Sequence, residues 1–112
     1  MINVESVVQK QLDAYNAHDA IRFSDCFSEH VQVFRHPDQT PLFTNKIDMV
    51  TFYKTHRFNQ PALHAKLVNR IVIGNKVFDH ELITGLDDVD KEVVAIYHIE
   101  NQLINRVWFV DP

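Results

Sequence analysis

Residues 63–85, LHAKLVNRIVIGNKVFDHELITG, decide the fold. Leu63, Ala65, Leu67, Asn69, Ile71 and Ile73 alternate with His64, Lys66, Val68, Arg70 and Val72, the two-residue period of a long strand. Gly74-Asn75 is a turn signal, and residues 76–85 read as a second strand that completes a hairpin. Toward the C-terminus, residues 86–91 form an acidic turn. Residues 92–99 and 103–110 then read as two more strands, separated by Glu100-Asn101-Gln102.

The N-terminal half changes period. Val4, Val7, Val8, Gln11, Leu12 and Tyr15 recur at three- and four-residue spacing, the apolar face of a helix that Asn3 can cap. Asp19 reads as a second N-cap, followed by a short helix carrying Phe23, Cys26 and Phe27. Residues 31–36 read as a strand ended by Pro37. Asn45 and Asp48 resemble a capping box and open a third helix through about Phe58. The order α-α-β-α-β-β-β-β predicts an α+β domain, with helices packed on one face of a curved, largely antiparallel sheet.

The chain has 112 residues, 46% of them hydrophobic, enough for one domain with a core that needs no disulfide. Its net charge of −4 argues against nucleic acid and anionic membranes as partners. No apolar run nears the ~18 residues of a membrane span. MINVESVVQKQL lacks the basic and apolar segments of a secretory leader, so a cytoplasmic location is expected. The single cysteine, Cys26, excludes an internal disulfide and a cysteine-based zinc site. No His pair has the helical spacing of a metal motif, so neither a metal nor another cofactor is expected. Twelve aromatic residues and seven histidines point to a large aromatic core or a lined cavity.

Three segments, residues 7–34 (VVQKQLDAYNAHDAIRFSDCFSEHVQVF), 69–85 (NRIVIGNKVFDHELITG) and 92–110 (EVVAIYHIENQLINRVWFV), carry a resemblance to nuclear transport factor 2 and to its SnoaL-like and ketosteroid-isomerase-like branch. The resemblance spans nearly the whole chain. It implies a cone-shaped barrel in which a curved mixed or antiparallel sheet and three N-terminal helices enclose an apolar cavity. Fold alone does not set function here, because the branch includes enzymes and binding domains.

Matching the hairpin to the isomerases puts Val77, Asp79, Glu81 and Ile83 inward, and Phe78, His80, Leu82 and Thr84 outward. The same matching puts Ile104, Arg106, Trp108 and Val110 inward on the last strand. His36-Pro37 stands where the isomerases carry an Asp-Pro, so His36 is a candidate base at the cavity mouth. Asp79 and Glu81 complete the candidate catalytic set. Arg106 is expected to pair with one of these carboxylates and leave the other with a raised pKa. That grouping resembles the carboxylates and arginine of the epoxide hydrolases of this fold. Arg106, Trp108, Tyr97 and Tyr15 are the candidate ligand contacts, although Tyr15 also reads as core with Phe23, Phe27, Phe52 and Tyr53.

The isomerases' oxyanion-hole tyrosine matches Gln11, and their protonated acid falls near Val94 or Ala95. Steroid isomerisation is therefore not expected. Two functions fit these residues. One is an enzyme of proton transfer, dehydration or hydration acting on a small apolar molecule. The other is a non-catalytic ligand-binding or dimerisation domain. Phe78, Leu82, Val94, Val107 and Phe109 predict an apolar outer face and hence a homodimer.

Overall fold

A computed structural model describes residues 3–86 and 89–112. Helix α1 spans Val4–Asn16, and the Asn3 side chain accepts its cap bond from the Ser6 amide at 2.8 Å. Asp19 caps α2, Ala20–Ser24, by accepting from the Arg22 amide. Asn45 caps α3, Lys46–His56, and its amide nitrogen donates back to the Asp48 carboxylate at 2.9 Å. The strands are β1 Phe27–Arg35, β2 His64–Ile73, β3 Lys76–Thr84, β4 Lys91–Glu100 and β5 Leu103–Val110.

One boundary departs from the sequence reading. Cys26 and Phe27 are not helical, because α2 ends at Ser24 and Phe27 already pairs with Ile104 on β5. The sheet order is β1-β5-β4-β3-β2; β1 runs parallel to β5 and every other pair is antiparallel. Asn101 and Gln102, both left-handed, form the two-residue β4–β5 turn that suits the twist of paired strands. Gly85 (φ +82°) ends β3 against the backbone of Ala62, where an added Cβ would lie 1.9 Å from the carbonyl oxygen. Among the described residues, no helix is long and apolar enough to cross a membrane.

Besides a register shift on β1 between Phe27 and Gln32, two β-bulges decide which side chains β2 and β5 turn inward. Leu67 lies opposite Glu81 and Asn69 opposite His80, so Val68 is an extra residue on β2. Ile99 lies opposite Ile104 and His98 opposite Arg106, so Asn105 is extra on β5. Each bulge reverses the alternation beyond it. On β2 this brings Arg70 to the inner face, across from Asp79. On β5 it turns Val107 and Phe109 inward and leaves Arg106 and Trp108 outside. The inward placement expected for Arg106, Trp108 and Val110 is thus corrected, as is the outward placement of Val107 and Phe109.

The core lies between the concave sheet and the helices. Val8, Phe23, Phe27, Met49, Val77 and Ile104 are essentially inaccessible to solvent. Phe23 holds the helices together, its ring centroid 4.9 Å from those of both Phe27 and Tyr53.

Candidate functional site

Helices α1 and α3 do not fill the concave face of the sheet, and a cavity of about 580 Å³ remains. Its wall is largely apolar, with Leu12, Phe27, Val33, Met49, Ile83 and Phe109 among its residues. Gln11, Tyr15, Tyr53, Arg57, Glu81 and Tyr97 supply the polar groups. Gln11 and Tyr15 stand one helical turn apart on the buried stripe of α1. Glu81 and Tyr97 come from the inward rows of β3 and β4, where alternation buries every second residue. The mouth carries exposed charges of both signs, including Arg35, Lys91, Asp90, Glu92 and Asp111.

Two carboxylates lie side by side on β3 in different states. Asp79 is wholly buried and held bidentately by Arg70, with Nε–Oδ1 at 2.6 Å and Nη2–Oδ2 at 2.9 Å. Arg70 Nη1 also donates to Gln9 Oε1 at 2.9 Å, and the guanidinium lies 3.8 Å from the Glu5 carboxylate. The Asp79 bonds hold Arg70 above its ordinary pKa in spite of burial. Glu81, 5% exposed, has neither ion pair nor side-chain hydrogen bond among the described residues. Burial, with the neighbouring Asp79 charge added, raises its pKa to about 7, and Arg70 opposes the rise only in part. Burial also raises the phenols of Tyr15 and Tyr97 and pushes Tyr53 up to about 12, and the Glu81 charge adds to each. All three tyrosines therefore stay protonated near neutral pH and can donate hydrogen bonds.

The structure groups Glu81, Tyr15 and Tyr97 around the cavity and sets Asp79 next to Glu81 in the inward row of β3. It separates the other candidates from them. His36 is exposed in the turn after β1, outside the cavity wall. Val33 and Arg35 point inward, so alternation carries His36 away, and among the described residues only its backbone N–H is engaged, donating to the Phe109 carbonyl at 2.8 Å. The mouth position expected for His36 is corrected on this ground. Arg106 is exposed and does not meet Asp79 or Glu81; Arg70 takes the place expected for it. Trp108 stacks on Phe34 across the outer face, with ring centroids 5.9 Å apart, and touches no part of the cavity. Arg70 escapes sequence reading because no Gly or Pro marks the Val68 bulge. Tyr53 reads as core from its spacing, although its ring also borders the cavity. Among the described residues, no group of three His, Cys, Asp or Glu side chains could hold a metal ion.

Comparisons with known proteins agree with this architecture. An uncharacterized cystatin-fold protein of Novosphingobium aromaticivorans superposes with a TM-score of 0.87 at 19% identity, covering 97% of this chain and 98% of its own. An NTF2-like protein of unknown function from Cytophaga hutchinsonii gives 0.85 at 12% identity, over 100% and 92% of the two chains. An LEH-like epoxide hydrolase of M. tuberculosis gives 0.78 at 10% identity, over 97% and 82%. At such identities the likeness shows the fold alone. No curated protein sequence matches. The model of the SnoaL-like domain matches residues 8–107, nearly the whole chain, and the chain belongs to the SnoaL-like domain family.

Proposed function

We propose that the protein is a small-molecule enzyme in which the Glu81 carboxyl moves a proton on a small, mostly apolar substrate. The observation that carries this reading is a buried, unpaired carboxyl facing a cavity with a pKa of about 7. Such a group is half ionised near neutrality, so it can take a proton from carbon or water and return it within one turnover. Asp79 cannot share that role while Arg70 occupies both of its oxygens. The phenols of Tyr15, Tyr53 and Tyr97 are placed to donate to an oxygen on which negative charge develops. Proton transfer, dehydration and hydration all fit this group. Steroid isomerisation fits less well, because Ala95, inward on β4, carries no acid.

A non-catalytic binding domain is the second reading. It is favoured by the exposed position of His36, which leaves Glu81 without a second base in the deep cavity. In either reading the chain works as a homodimer through its outer sheet face. Turnover of small ketones, alcohols and epoxides separates the two readings. Glu81→Gln should lower kcat/KM for any active substrate by about 100-fold or more, as loss of a general acid–base does. An active substrate whose turnover survives Glu81→Gln within about threefold would overturn the assignment.

A further inference from the structure

Gln11 brings to the cavity a buried carboxamide oxygen, Oε1, that no hydrogen bond meets among the described residues. Its side chain is 5% exposed and borders the cavity. A carboxamide in an apolar wall that leaves an acceptor unmet is costly for folding alone. Its neighbours on the α1 stripe, Val7, Val8 and Leu12, show that an apolar residue would suit the position.

We infer that Gln11 selects the substrate, and that it selects an apolar molecule bearing a hydroxyl group over an unfunctionalised or an anionic one. This rests on the reading of the cavity as a small-molecule site. A hydroxyl matches the deep cavity because it both donates and accepts. With the Gln11 carboxamide turned toward the cavity, it can donate to Oε1 and accept from one of the surrounding phenols in the same pose. A hydrocarbon leaves the carboxamide unmet. An anion brings a second negative charge beside Glu81, and the half-buried Arg57 that borders the cavity already donates to the His56 carbonyl and lies over the Phe52 ring. Arg70 is engaged by Asp79 and Gln9 and does not border the cavity, and the cations at the mouth stand among Asp90, Glu92 and Asp111.

Naphthol, naphthalene and naphthoate share one bicyclic body and test the inference by direct titration against wild type and Gln11→Met. Wild type should bind naphthol about tenfold more tightly than naphthalene, the scale of one well-made neutral hydrogen bond, with naphthoate weakest. Gln11→Met should lose that preference or reverse it toward naphthalene, the more hydrophobic probe. Free of ligand, the variant should melt higher than wild type, because an unmet polar group is gone. Gln11→Leu replaces it if the methionine variant does not fold. Naphthalene or naphthoate binding wild type as tightly as naphthol would overturn the inference while leaving the cavity reading intact, and so would an unchanged naphthol preference in the variant. Failure of all three probes to bind would overturn both.

Discussion

In Glu81 a cost to stability meets the chemistry proposed for it. Its pKa rises from an ordinary 4.5 to about 7 in the folded protein, so the folded state holds this proton more tightly than the unfolded state does. Below about pH 4.5 both states are protonated and nothing is lost. Stability then falls as pH rises toward 7, and above that the full penalty of a buried charge is present. The interval from 4.5 to 7 converts to on the order of 3 kcal/mol. Glu81→Gln should therefore stabilise the protein by about 2–3 kcal/mol at pH 8 and by close to nothing at pH 4, measured by urea unfolding at both values. An equal gain at both would mean that the carboxyl is not buried as described. Gln11 is the second residue of this kind, and the two together give the deep cavity its unmet hydrogen-bonding capacity.

At the scale of the element, the strands are where the sequence is most and least informative. Alternation sets Val77, Asp79 and Glu81 in one row of β3, which is the inward row that matching to the isomerases implied, and the three caps Asn3, Asp19 and Asn45 hold their helices. These features are legible because each depends only on neighbours a few residues away. A bulge depends on how two strands pair, and neither Val68 nor Asn105 is a residue type that announces one. One extra residue on each of β2 and β5 was enough to exchange Arg106 for Arg70 at the ion pair and Trp108 for Phe109 at the cavity wall. His36 misled for a related reason, since a dipeptide matched by position carries no information on which way its side chain faces. The two arginines now make opposite predictions. Arg70→Leu strands a wholly buried carboxylate and should cost on the order of 3–5 kcal/mol. Arg106→Leu, at an exposed site, should change stability by about 0.5 kcal/mol or less. Chemical denaturation of both variants decides between the two registers, and a larger loss for Arg106→Leu would contradict the bulges.

For the whole molecule, one sheet serves two purposes on its two faces. The concave face makes the cavity. On the convex face, Ile71, Phe78, Ile96, Trp108 and Phe34 lie in register as one apolar row across all five strands. Next to it stands the row of Asn69, His80, Val94 and Val110. An apolar band of this extent is rare on a monomer and suits a two-fold contact with a second copy. Light scattering at micromolar concentration should give about twice the 13.1 kDa of one chain, and Trp108→Glu should halve that value. A wild-type mass of one chain would refute the dimer without touching the cavity, because the wall residues come from the opposite face.

Glu81 is proposed as a proton-transfer group poised near neutrality. Selective carbon-13 labelling of glutamate side chains, followed through a pH titration of the folded protein by NMR, reads it directly, with Glu81→Gln identifying the resonance. The expected result is a Glu81 carboxyl that titrates near pH 7. A Glu81 carboxyl that titrates between about pH 4 and 5, as an exposed glutamate does, would contradict it.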